Sequence, residues 1–264
     1  MLDLVDVTVR LRHRTILNGI SLAARAGELV AICGANGAGK STLLKAILQE
    51  VPATGTIRLN GIDLAGARPA SLAPLRAVLP QESEVAFGFT VADILRMGRE
   101  AGDFATRPEL DHAALAGVGL FGREEDDIRS LSGGERQRVH LARALAQVWE
   151  PVGPRGPRWL MLDEPVASLD LGHQLQVMRL ARGFADAGGG VLAIMHDLNL
   201  SAMFADRMVF LVGGRIAADG PPAQVMLPHL LSAAYGCRAE PNRVPPQGPW
   251  LLPQTCAGLD FQQK

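Results

Sequence analysis

The sequence predicts an α/β fold: a buried parallel sheet, an antiparallel β subdomain at its start and an inserted helical subdomain. Three observations predict it. The apolar run Leu29–Cys33 leads straight into a glycine-rich loop and an apolar-periodic helix. Residues 159–162, Trp-Leu-Met-Leu, are apolar throughout, as a strand covered on both faces must be. Between these two runs the texture turns helical, and strand and helix alternate again from Trp159 onward.

The elements follow in order. Residues 2–11 alternate as an opening strand, 20–24 form a second, and Leu29–Cys33 is the third. A helical pattern runs over 42–48, a strand over 56–59, and Asn60-Gly61 is a hairpin turn. A short strand at 76–79 ends at Pro80-Gln81. Thr90 and Asp93 form a capping pair for a helix over 91–99, and 108–118 is a second helix. The stretch 147–158, with three prolines and two glycines, reads as a surface loop longer than its connection requires.

After the 159–162 strand, Val177, Leu180, Ala181 and Phe184 mark one core face of a helix over 171–187, which Gly188-Gly189-Gly190 stops. Residues 191–195 are the next buried strand, 207–212 and 215–218 a hairpin about Gly213-Gly214, and 222–226 and 228–235 two short helices. The remainder is a proline-rich appendage. The domain expectation is a core of 1–81 and 136–235, a helical insertion of 82–135 and an appendage of 236–264.

With 264 residues, 48% of them hydrophobic, the chain can bury a sizeable core. A formal net charge of −1 and the lack of a basic tail give no case for nucleic acid as a partner. The opening strand is unlike a signal peptide, and no apolar run reaches the roughly 20 residues of a bilayer span. A cytosolic body whose membrane link comes through a partner is expected. Cys33, Cys237 and Cys256 have no metal-ligand spacing; Cys33 is expected to be a small buried filler.

Gly34, Ala35, Asn36, Gly37, Ala38, Gly39, Lys40 and Ser41 read G-x-x-x-x-G-K-S between strand and helix. Glycines let successive backbone N–H groups turn toward a polyphosphate, the helix start faces it, and Lys40 brings a charge to the β/γ oxygens. Ser41 offers a hydroxyl for Mg²⁺. The bland reading is a glycine-rich turn with a surface lysine.

Asp163 and Glu164 close the 159–162 strand, at the sheet edge where α/β proteins bind ligands. Neighbours on a strand point opposite ways, so the two carboxylates divide the work. Asp163 is the metal-side candidate, and Glu164 orients or deprotonates a water. Ser132 and Glu135 form a capping box, but Gly133 and Gly134 behind the cap leave a bare helix start where an anion can approach. Both roles are expected to coexist.

With Gln81 after a short strand, L-S-G-G-E-R-Q at 131–137, W-L-M-L-D-E-P at 159–165, Ser168-Leu169-Asp170, and His196 after a strand, the order of motifs from Leu2 to about Tyr235 resembles an ATP-binding-cassette ATPase. The resemblance implies a phosphate-loop nucleotide-binding domain of that type. Gly34 to Ser41 and Thr42 would hold ATP; Ser41, Gln81 and Asp163 would serve Mg²⁺; Glu164 would polarise water and His196 bind the γ-phosphate. Ser132, Gly133 and Gly134 would complete the site of a second, oppositely facing copy, with Asp170 at that dimer contact. The family places an aromatic ring under adenine near Leu11 to His13, and this chain has Leu11, Arg12 and His13 there.

R-A-V-L-P-Q at 76–81, F-G-F-T-V-A-D-I-L-R-M-G-R at 87–99 and H-D-L-N-L-S-A-M-F-A-D-R-M at 196–208 are similar to the ATPases of heme, ferric-siderophore and cobalamin importers. The 147–158 loop is similar to the hemin branch. That resemblance implies a homodimer on the cytoplasmic face of the inner membrane, two permease subunits met by residues of about 82–129, and a periplasmic heme-binding protein acting indirectly. A siderophore or cobalamin importer, a soluble cassette ATPase of translation or repair, and a non-hydrolysing nucleotide-gated scaffold are the alternatives. The first of the soluble kinds normally carries a second cassette or inserted arm, and intact Asp163, Glu164 and His196 speak against the scaffold.

Overall fold

The computed structural model describes residues 1–81, 88–245 and 247–256. In chain order the elements are β1 (Leu2–Leu11), β2 (Arg14–Ala24), β3 (Leu29–Cys33), α1 (Lys40–Ile47), β4 (Thr54–Leu59), β5 (Ile62–Asp63), α2 (Pro69–Leu72) and β6 (Arg76–Leu79). There follow α3 (Val91–Ala101), α4 (Glu109–Gly117), α5 (Gly133–Gln147), β7 (Val152–Gly153), β8 (Gly156–Pro157) and β9 (Trp159–Asp163). The last are α6 (Leu171–Asp186), β10 (Gly190–Ile194), α7 (Leu198–Phe204), β11 (Arg207–Val212), β12 (Arg215–Gly220), α8 (Pro222–Val225) and α9 (Pro228–Tyr235).

Two sheets carry the fold. β2-β1-β4-β5 is antiparallel, closed at one end by the Asn60-Gly61 turn, where both residues take positive φ. The larger sheet runs β12-β11-β3-β10-β9-β6, parallel from β11 to β6, with β12 the antiparallel edge. Every residue of β3, β9 and β10 is buried, as uninterrupted apolar runs require. Alternation then divides the core. Leu29, Ala31 and Cys33 face the layer of α3 to α7, and Val30 and Ile32 face α1 and the antiparallel sheet. Cys33 is the buried filler expected, its thiol pushed up to about 12 by burial. Among the described residues no helix is long and apolar enough to cross a membrane.

Guanidinium groups close several helix ends. Arg76 donates to the Ile47 and Leu48 carbonyls at 2.6 and 3.2 Å, Arg138 to Val118 O at 2.9 Å and Arg182 to Phe204 O at 3.4 Å. Each satisfies carbonyls that a helix leaves open and sets positive charge at the negative end of its dipole. Arg76 thereby ties the end of α1, the helix that follows the phosphate loop, to strand β6.

Several elements differ from expectation. β2 starts at Arg14, because the outward side chains of an edge strand hide its alternation, while Leu17 and Ile20 are buried. α7 is too short for a periodic signature. The 147–158 stretch also holds more order than its composition announces. Gln147 is the buried last residue of α5, and β7 and β8 make a small hairpin. Arg158 holds it: 2% exposed, it donates to Pro74 O at 3.1 Å, Glu150 O at 2.7 Å and Asp103 Oδ2 at 3.1 Å, and lies 4.9 Å over the Phe104 ring. Asn60 donates to Pro157 O from the other side at 2.8 Å. The hairpin thus touches both sheets and the α3–α4 connection.

Replacing Arg158 by Met removes the donors of buried carbonyls, so urea denaturation should show a loss of roughly 2–4 kcal/mol. A second expectation concerns acid. His140 on α5 is buried beside Arg143 and Arg136, and burial holds its imidazole down at about 4. The unfolded ring takes a proton at higher pH than the folded one. Stability is therefore complete above the unfolded value near 6.5 and falls as pH drops toward 4, by up to about 3 kcal/mol. His140→Gln should flatten that part of the urea-midpoint against pH curve.

Candidate functional site

Parallel pairing of β3, β10 and β9 brings three strand ends together, with Ile194 opposite both Ile32 and Asp163. The segments leaving these ends make the site: Gly34 to Ser41 after β3, Asp163 and Glu164 at the end of β9, and His196 after β10.

The loop after β3 needs its glycines for different reasons. Gly34, Gly37 and Gly39 have φ of 144°, 78° and 106°. A Cβ on Gly34 would stand 2.4 Å from Leu211 O and one on Gly39 2.7 Å from Leu17 Cδ2, whereas one on Gly37 would meet nothing within 4 Å. Asn36 and Gly37 are exposed and Ala38 to Lys40 buried, so the loop is anchored below and open above. Lys40 Nζ donates to Gly34 O at 2.8 Å and Ala35 O at 3.1 Å, bending back over the loop. Burial pushes its ammonium down from the ordinary value, while Glu164 and Asp163 hold it charged. A ring of backbone closed by a lysine is a cradle of the size and charge for a phosphate.

Ser41 Oγ donates to Asp163 Oδ1 at 3.5 Å. Burial, then the neighbouring Glu164, pushes the Asp163 carboxyl up. Among the described residues no group of three His, Cys, Asp or Glu could hold a metal ion. One hydroxyl, one carboxylate and the amide of Gln81 suit instead a Mg²⁺ that keeps waters and takes phosphate oxygens.

Glu164 is the outlier. Its φ is 52°, left-handed for a bulky residue, and Pro165 after it disfavours helical backbone further. The divergence of Asp163 and Glu164 therefore comes from a left-handed turn off the strand rather than from strand alternation. Its N–H donates to Ile194 O at 3.2 Å and its carbonyl accepts from Gln137 Nε2 at 3.0 Å. Its carboxylate lies between Gln81 Nε2 at 3.0 Å and His196 Nε2 at 2.5 Å. Residues 81, 164 and 196 are thus brought together, and Gln137, the last residue of the 131–137 motif, joins them through the Glu164 carbonyl, a contact that the motif itself does not announce.

Ser132 caps α5 in a full capping box: its Oγ accepts from Glu135 N at 3.3 Å, and its N–H donates to Glu135 Oε2 at 2.8 Å. The two glycines behind it divide. A Cβ on Gly133 would meet open space, whereas one on Gly134 would press on Leu169 Cδ2 and Ser168 O, both at 3.2 Å. Only Gly133 leaves the helix start bare; Gly134 makes room for the chain's own 168–169 segment. Asp170 is the exposed N-cap of α6, accepting from His173 N at 3.0 Å. Thr42 follows Ser41 in the first turn of α1. Leu11, Arg12 and His13 are exposed at the turn between β1 and β2, with Arg12 at φ 54°. Of the stretch 82–129 expected to face membrane partners, residues 82–87 lie outside the described residues.

A family model described as ABC transporter matches residues 17–167. The chain is 55% identical over 254 residues to "Hemin import ATP-binding protein HmuV" of Jannaschia sp. (strain CCS1), covering 96% of this chain and 94% of the relative. It is 52% identical over 259 residues to the protein of the same name from Roseobacter denitrificans, covering 98% and 99%. A solved ATP-binding subunit of an ABC transporter shares the fold, with TM-score 0.75 at 24% identity over 90% of this chain and 95% of that one.

Alanine substitutions in the loop after β3 should destabilise in the order Gly34, Gly39, Gly37. The last suffers only from its left-handed backbone, about 1 kcal/mol; urea denaturation of the three variants checks the ranking.

Proposed function

The chain belongs to the ABC transporter family, and on that premise we propose that it is the ATP-hydrolysing subunit of an importer that takes up hemin across the bacterial inner membrane. The observation that carries the hydrolytic reading is the Glu164 carboxylate, held between Gln81 and His196 at the tip of the strand whose Asp163 meets Ser41. The cargo reading is supported by relatives named for hemin import that align along nearly their whole length.

In this reading the Gly34 to Gly39 backbone, Lys40, Ser41 and Thr42 bind the triphosphate. Ser41, Gln81 and Asp163 hold Mg²⁺, which when bound neutralises phosphate charge. Both Glu164 oxygens are engaged, one by Gln81 and one by His196. When His196 turns its Nε2 to the γ-phosphate, one carboxylate oxygen is freed to accept a proton from the attacking water. The water oxygen bonds to the γ-phosphorus, the bond to the ADP oxygen breaks, and ADP and phosphate leave.

We take the active form to be a homodimer in which exposed Ser132 and Gly133, with Gly134 behind them, close the partner's phosphate site, and Asp170 lies at the contact. Two permease subunits on the membrane side would receive the motion. The division into a core of 1–81 and 136–235, a helical insertion of 82–135 and an appendage of 236–264 belongs to the same proposal, with α5 crossing the 135/136 boundary.

Glu164→Gln should lower phosphate release by about a hundredfold or more while ATP-dependent dimerisation persists. Near-normal release would remove Glu164 from the chemistry. Uptake assays with the copurified permease then compare hemin with ferric siderophores and cobalamin, and transport of either of the latter in place of hemin overturns the cargo.

A further inference from the structure

We infer that Gln137 is a positioning residue for Glu164, coupling the carboxylate that faces the phosphate site to the start of helix α5. The inference rests on the hydrolytic reading of Glu164. Gln137 donates from Nε2 to the Glu164 carbonyl at 3.0 Å, while its own Oε1 is buried and has no partner. A neutral hydrogen bond contributes about 1 kcal/mol, and an orphaned buried oxygen costs about 1–3 kcal/mol. On stability alone an apolar side chain of this size would serve as well. The glutamine is accounted for by what its N–H holds in place.

What it holds is a residue that the local sequence does not favour in this shape. Glu164 is left-handed and precedes proline, two conditions that push the backbone elsewhere, so neighbours must fix it. Ile194 O takes the N–H of Glu164 and Gln137 takes its carbonyl. Helix α5 reaches the other side of the carboxylate as well: Arg143 Nη2 donates to Val78 O at 2.7 Å, on the strand that leads to Gln81. The same helix opens at Ser132, and a rise of about 1.5 Å per residue puts Gln137 roughly 7.5 Å along the axis from that cap. An anion that engages the helix start pulls on a rigid rod that is tethered to the Glu164 peptide.

Gln137→Met keeps the volume and removes the donor. Phosphate release by the full chain should then fall about tenfold to a hundredfold. KM for ATP, the affinity for a fluorescent ATP analogue and Tm should stay near the wild-type values. Hydrogen exchange on the nucleotide-free protein is the readout that needs no turnover: the Glu164 and Ala167 amides, bonded to Ile194 O and Glu164 O, should exchange faster in the variant. Unchanged exchange at both amides overturns the inference, as does a kcat within twofold of wild type. A kcat loss matched by loss of nucleotide affinity or Tm overturns it too. An inert wild-type chain sinks the hydrolytic reading instead, and the exchange measurement then still decides whether Gln137 fixes the Glu164 backbone.

Discussion

The parallel ladder between β3, β10 and β9 is the constraint on which the rest depends. Its strands share no turn and are brought together only by buried apolar surface and slanted hydrogen bonds, yet their register sets Gly34, Asp163, Glu164 and His196 side by side. A slip of one residue in β9 would turn Asp163 to the other face and away from Ser41. Sheet topology is in this sense the first layer of the site's chemistry, and the phosphate loop is its most visible outgrowth.

Charge is handled inside this protein chiefly by arginine against backbone carbonyls rather than by buried acid–base pairs. Arg76, Arg138, Arg143 and Arg158 all direct guanidinium N–H groups at main-chain oxygens of other elements. Desolvating an ion pair is costly in the interior, and a planar donor fork on carbonyl groups that already lack partners avoids leaving either side unsatisfied. The consequence is mechanical, since each contact ties the end of one element to the body of another.

Much of this was legible in the residues. Leu29–Cys33 and Arg76–Leu79 are strands at the positions that their apolar runs mark, both capping boxes form, and Asn60-Gly61 turns as its dipeptide dictates. Ser41, Asp163 and Glu164 were readable because each sits at a strand end or loop with a chemical reason to be there, whereas Gln81 and His196 were reached through the resemblance of the motif order. The features that escaped depend on distant partners. The β7–β8 hairpin has no pattern of its own and exists because Arg158 and Asn60 grip it. Gly133 and Gly134 look alike in sequence, and only the approach of residues 168–169 separates them. Gln137 closes the 131–137 motif, and nothing in that motif says that its amide meets the Glu164 carbonyl.

Helix α5 also limits how this chain can diverge. Between its cap and its end it makes contacts through Gln137, Arg138, Arg143 and Gln147, which reach the Glu164 carbonyl, the end of α4, strand β6 and the segment that leads into β6. Gaining or losing a single residue near its start would swing every later one by about 100° and slide it by about 1.5 Å. Descendant lineages are free to respell the exposed positions of this helix but not to change its count, and variation in length is left to places such as the 153–156 turn.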